Sequence, residues 1–240
     1  MPDFFRFPHT PHLAWLSPGI PRDDKVLRAD QVTKLLGGEV VVEEKLDGAN
    51  LGFSLSVDGA LRAQNRGQYL LEPHGGQFAR LPMWLAQHGD ALHALLPPAH
   101  IFFGEWCAAR HSLAYTALPD WFLLFDVYDC TAGRFWSTAR RNVLAGQAGL
   151  KTVPRIFHGK TSLSRLEQCI ATEHSHYSDG AMEGVVVRRE SVAWCEGRAK
   201  LVRPGFTQAI DTHWSKRAIA WNRIDYSAGD STSNGPPDAV

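Results

Sequence analysis

The residues in this chain that could do chemistry together are one lysine, two acids set beside glycines and a basic strand. The lysine is Lys45, within Glu43-Glu44-Lys45-Leu46-Asp47-Gly48-Ala49-Asn50. A free amine with a reference pKa of about 10.4 is a poor nucleophile at neutral pH. Held among apolar walls and other cations it can lose its proton and attack carbon or phosphorus. Asp47 projects to the same face if the strand continues through it, and Gly48 lets a bulky group approach the backbone. The first acid, Glu105, ends the apolar run Ile101-Phe102-Phe103-Gly104-Glu105-Trp106 and suits either a sugar hydroxyl or a turn cap. The second, Glu183, opens Met182-Glu183-Gly184-Val185-Val186-Val187-Arg188-Arg189, which by itself is an edge strand with a charged end. Arg198-Ala199-Lys200-Leu201-Val202-Arg203 reads as a basic strand, and Asn65-Arg66-Gly67 sets an arginine on a glycine-relieved loop.

The elements that must carry these residues follow from periodicity and punctuation. Glu39 to Val42 is a buried strand leading into Lys45, and Leu51, Phe53, Leu55 and Val57 alternate at strand period. A turn at Asp58-Gly59 and a strand over Leu61 to Gln64 complete a central hairpin. Residues 76–96 hold apolar side chains at helical spacing, as one helix or as two split at Pro82 and Gly89. Trp121 to Val127 is an aromatic strand. Ser137 or Thr138 caps a helix to about Gln147, and Ser162 caps another through Glu173. Arg140, Arg141 and Lys151 are most simply a solvated face. Before all of these comes a proline-rich leader over residues 1–22, in which His9 and His12 read as surface or packing residues. A short helix spans Asp30 to Leu36, closed by Gly37-Gly38. After them, a helix is expected from Gln208 to Ile219 and a disordered polar tail over residues 227–240.

Composition narrows the classes. The 240 residues supply ample core for one large domain or two small ones, and 44% hydrophobic with 21% charged content is that of a globular protein. The 25 basic and 25 acidic residues balance, so any nucleic-acid surface must be local. Cys107, Cys130, Cys169 and Cys195 form no CxxC pair and read as reduced packing cysteines of a cytoplasmic protein. No apolar run is long enough to span a bilayer, and the N-terminus lacks a signal-peptide plan, so no membrane role is expected.

Taken in order, these segments resemble the covalent nucleotidyltransferases: the ATP-dependent RNA and DNA ligases and the mRNA capping enzymes. Lys45-Leu46-Asp47-Gly48 matches their Lys-x-Asp-Gly signature, in which the lysine carries the nucleotide. The resemblance implies Lys45, Asp47, Glu183 and Lys200 as catalytic residues, with Glu44, Asn50 and Arg66 in nucleotide binding. It makes Glu105 the ribose contact and gives Glu183, with Asp47, to a divalent metal, magnesium or manganese. An aromatic that stacks on the purine falls at Phe122, or at Trp121 if the register differs. The family's Lys-x-Lys is not met: Lys200 belongs to the basic motif in either register, with Arg198 and Arg203 as further phosphate contacts.

The Asp-Gly-Ala-Asn segment, the Pro11-His12-Leu13 leader and Lys200-Leu201-Val202-Arg203-Pro204 are most similar to the RNA ligases related to phage RNA-repair enzymes. The fold this implies is α+β: two antiparallel sheets flanked by helices, with the nucleotide in the groove between them. One adenylyltransferase domain over residues 1–226 is expected, without an appended OB domain. The implied chemistry is transfer of AMP from ATP to Lys45, then to a 5′-phosphate RNA end, and sealing by a 3′-hydroxyl. DNA-nick sealing and non-catalytic recognition of nucleic-acid ends are the alternatives, and an end-processing or substrate-presenting protein is a possible partner.

Overall fold

The computed structural model describes residues 4–19, 26–206 and 218–227. The helix expected from Gln208 lies mostly outside them, as does the tail from residue 228. In chain order the elements are α1 (Ala29–Leu36), β1 (Val40–Lys45), β2 (Ala49–Leu55), β3 (Leu61–Gln64), α2 (Leu81–Leu95), β4 (His100–Trp106) and β5 (Phe122–Asp129). They continue with β6 (Arg134–Phe135), α3 (Thr138–Gln147), β7 (Lys151–Thr152), β8 (Arg155–Gly159), α4 (Leu163–Thr172), β9 (Gly184–Glu190) and β10 (Cys195–Val202).

The strands form two sheets. The first has the order β10-β9-β1-β8, antiparallel throughout. The second has the order β3-β2-β4-β5-β6, antiparallel, with the short β7 added to β5 in parallel. The architecture is therefore α+β with two antiparallel sheets. β2 and β3 make the expected hairpin, closed by Gly59 at φ 84°, which favours glycine. The lysine strand does not belong to that hairpin. β1 pairs with β8 and β9, so the chain changes sheets between Lys45 and Ala49. The strand consequently stops at Lys45 instead of running on through Asp47.

Helix α2 is one helix: Pro82 sits in its first turn, where the missing N–H costs nothing, and Gly89 is tolerated inside it. Ser137 and Ser162 cap α3 and α4 by accepting from Arg140 N and Arg165 N. Beneath the second sheet lies an aromatic core including Phe53, Trp84, Trp106 and Phe122, while Leu35, Val40, Val42, Leu166 and Ile170 pack under the first. Among the described residues no helix is long and apolar enough to cross a membrane.

Candidate active site

A cavity of about 430 Å³ opens between the sheets. From the first sheet it takes Lys45, Val186, Arg198 and Lys200, with Glu183 just ahead of β9; from the second, Asn50, Glu105, Phe125 and Asp126; Arg66 comes from the loop after β3. Strand register explains how distant segments meet. Lys45 lies opposite Gly184, which delivers Glu183 to the lysine, and Asn50 lies opposite Glu105. In β10 the alternating residues Arg198, Lys200 and Val202 face the cavity.

Lys45 Nζ is held 2.7 Å from Glu183 Oε1 and 2.8 Å from Oε2. Burial by itself would lower its pKa, but the facing charges of Glu183, Glu105 and Asp47 outweigh burial and leave it raised. This corrects the expectation of a lysine among cations: at rest it is an ammonium gripped by acids. Burial in turn lifts Glu183 and Glu105 to about 7 against the pull of Lys45. Glu105 Oε1 accepts the Gly48 N–H at 3.0 Å. A Cβ on Gly48 would stand 2.6 Å from Trp106 O and 3.1 Å from Glu105 Cγ, so the turn needs glycine for close approach. Asn50 Oδ1 is buried with no hydrogen-bond partner among the described residues.

Several expected site residues are placed differently. Phe122 is fully buried on the far side of its strand, against Phe53 at 5.1 Å and Trp84 at 5.3 Å, and cannot meet a base. Its alternative, Trp121, is buried under Arg80. The aromatic of this strand that lines the cavity is Phe125: Phe103 pairs with Asp126 and Gly104 with Leu124, leaving Phe125 as the extra residue of a bulge. Glu44 lines the cavity, and its carboxylate accepts from Ser175 Oγ at 2.5 Å and from His176 N at 3.0 Å. Asp47 follows the end of β1 and is not among the cavity-lining residues. Its Oδ2 accepts the Ser112 and Leu113 N–H groups, both at 2.7 Å. Arg203 stands outside the cavity lining, its N–H bound to Glu183 O at 2.9 Å.

Other residues were not singled out by the sequence. Arg141, read as solvated, is buried and binds both oxygens of Glu43, at 2.6 and 3.3 Å. It also donates to Phe125 O at 2.6 Å. Arg188 bonds Asp126 at 2.8 Å and lies 3.9 Å from Glu43, and Arg198 donates to Asp126 as well. These charges are almost fully buried and pair across the two sheets, with Glu43, Asp126, Arg188 and Arg198 also lining the cavity. The available signal was Glu43-Glu44: successive strand residues face opposite ways, so one of two acids in a buried strand has to find an internal partner. At the C-terminal side, Asn222 is buried with its Nδ2 bonded to Cys107 O at 2.8 Å. Its Oδ1 accepts the Tyr115 N–H at 2.9 Å. That clips residues 218–226 onto the loop that holds Asp47.

Several solved structures of an RNA ligase share this fold. A variant of Naegleria gruberi RNA ligase with ATP and Mn matches with a TM-score of 0.62 at 17% identity, over 90% of this chain and 60% of that one. The Naegleria gruberi RNA ligase with PPi matches at 0.59 and 19%, over 87% and 64%. An apo variant of that enzyme matches at 0.61 and 16%, over 88% and 59%. The chain thus spans about three fifths of the length of these structures. No curated protein matches. The RNA ligase family model matches residues 38–202, well over half of the sequence, and its span contains Lys45, Glu105, Glu183 and Lys200. The chain belongs to the RNA ligase family.

Proposed function

We propose that this protein is an ATP-dependent ligase that joins RNA ends through a lysyl–AMP intermediate on Lys45. The observation that carries the reading is the Lys45 ammonium held by both Glu183 oxygens inside a cavity that also presents Glu105, Asn50, Arg66 and Lys200. A nucleophile, acceptors for ribose hydroxyls and cations for phosphates are the parts a nucleotidyl transfer needs. Phe125 replaces Phe122 as the base stacker, with Val186 offering an apolar surface in the same cavity. The unpartnered Asn50 Oδ1 beside Glu105 fits a sugar hydroxyl.

Lys45 has to lose a proton before it can attack. Glu183, lifted to about 7, lies within hydrogen-bond distance to receive it. Neutralising Glu183 also removes the largest charge that favours the ammonium, and burial then pushes Lys45 toward the amine. The Nζ–P bond forms at the α-phosphate and the bond to pyrophosphate breaks. AMP next passes to a 5′-phosphate RNA end, and a 3′-hydroxyl displaces it to leave a phosphodiester. Residues 1–226 serve as the catalytic unit in this scheme.

Magnesium or manganese is the expected companion of ATP. No group of three or more metal-binding side chains occurs among the described residues. The acids present nonetheless fit a hard cation shared with phosphate oxygens, since magnesium usually takes one or two carboxylates plus substrate phosphates. Glu183 is the residue to hold it, with Asp47 through water. Bound there, the ion would neutralise phosphate charge.

Incubating the protein with α-labelled ATP and magnesium should place label on the chain, and Lys45→Ala should take none. An unlabelled wild type, or an equally labelled variant, sinks the proposal. Sealing of nicks with ribose or deoxyribose at the 3′ end then separates RNA from DNA ligation.

A further inference from the structure

The leader, read above as a proline-rich segment, is a strap across the cleft. Its first anchor is the second sheet: the Phe5 ring stacks on Tyr128 at 3.8 Å, and Phe5 O accepts from Gln64 Nε2 at 2.8 Å. Phe7 follows, edge-on to Phe103 at 4.9 Å and to Phe125 at 5.3 Å. Its second anchor is the first sheet. Lys200 N donates to Pro11 O at 2.9 Å and Leu13 N donates to Lys200 O at 2.7 Å, so residues 11–13 join β10 as a parallel neighbour. Between the anchors the strap supplies Phe7, Thr10 and His12 to the cavity wall.

We propose that His12 is a ligand for the pyrophosphate half of ATP, presented beside Lys200 by this strap. The inference rests on the ligase reading and adds to it a residue from outside the basic strand. His12 and Lys200 are partners in a parallel bridge, and such partners point to the same side of the sheet at a strand spacing of about 4.8 Å. Both line the cavity. His12 is only 2% exposed, and its ring lies edge-on to Trp15 at 4.9 Å, which fixes its plane. Arg198, the other cation of β10, already answers to Asp126.

In-line attack by Lys45 sends pyrophosphate away from the lysine. In that step the free amine of Lys45 forms the N–P bond. The Pα–O bond breaks with its electron pair leaving on pyrophosphate, and the displaced amine proton passes to solvent. His12 makes no covalent bond; an imidazole N–H donates to a departing oxygen.

The test separates three rates in wild type, His12→Leu and His12→Asn. They are labelling by α-labelled ATP, loss of AMP from labelled enzyme on adding inorganic pyrophosphate, and transfer of AMP from labelled enzyme to 5′-phosphorylated RNA. A hydrogen bond to a charged oxygen corresponds to about tenfold or more in rate or affinity. His12→Leu should therefore slow labelling and pyrophosphate-driven reversal by about tenfold more than it slows transfer. His12→Asn, which keeps an N–H donor, should fall less. Equal loss in all three rates, no loss in the first two, or Asn falling below Leu overturns the proposal. A wild type that takes no label overturns the ligase reading instead. Titration of inorganic pyrophosphate into wild type and His12→Leu then decides His12 by itself, equal binding counting against it.

Discussion

The two walls of the cleft are built on opposite plans. The first sheet turns Lys45, Arg198 and Lys200 inward and is backed mainly by aliphatic side chains such as Val40, Val42, Leu166 and Ile170. The second turns Asn50, Glu105 and Phe125 inward and is backed by the rings of Phe53, Trp84, Trp106 and Phe122. Under the function proposed above, reaction and recognition would be separated: the groups assigned to charge transfer stand mostly on one sheet, and those assigned to base and sugar stand on the other, over aromatic packing. The difference teaches that Lys45 gains its setting from its own sheet through Glu183 and from across the gap through Glu105.

The sharpest way to break this division is Lys45→Arg. It keeps a cation for Glu183 but cannot give a free amine, so covalent labelling should vanish while the melting temperature stays near wild type. Residual label above background would remove Lys45 from its role. Next in size, Phe122→Ala should cost about 3–5 kcal/mol in a denaturant titration by opening a cavity under the second sheet. Phe125→Ala, three residues on, should barely move stability and should instead raise KM for ATP by an amount worth about 1–3 kcal/mol. If the two phenotypes were exchanged, the corrected stacker would be wrong.

A pH series on labelling tests the acid side. Glu183 and Glu105 have pKa values raised to about 7, so each holds its proton below that pH and carries its charge above it. If charged carboxylates are required, labelling should rise between pH 6 and pH 8, and a profile that falls with pH contradicts the assignment. The smallest effect is expected at the rim. Arg134 meets Glu196 across the sheets at 2.7 Å, but both side chains are over 40% exposed. Arg134→Ala should change stability by about 1 kcal/mol or less, and a larger loss would make rim contacts part of the clamp.

Much of this could be read from the chain because strand period is short and glycine punctuation is local. Lys45-x-Asp47-Gly48, Glu105 after Gly104, and Glu183 before Gly184 all fall at strand ends that the sequence marks. What escaped depends on facts that no local window contains. Phe122 and Phe125 differ by a bulge, which is visible only once β5 is paired with β4. Arg141 on an amphipathic helix looks solvated until the helix meets Glu43, 98 residues away. His12 sits in a proline-rich leader, and its pairing with Lys200 far downstream cannot be read from either segment alone. Asn222 likewise acquires meaning only against Cys107 and Tyr115.

Arg188 lies within ion-pair distance of carboxylates on both sheets, Asp126 on one and Glu43 on the other. The two halves of the cleft are therefore not interchangeable parts. A chimaera that grafted β2 to β5 from another enzyme onto this scaffold would take from the buried Arg188 and Arg198 the carboxylate they share, unless the graft carried an acid at the position of Asp126. Recombination between relatives should tolerate crossovers that keep both ends of this ladder from one parent, and reject those that split it.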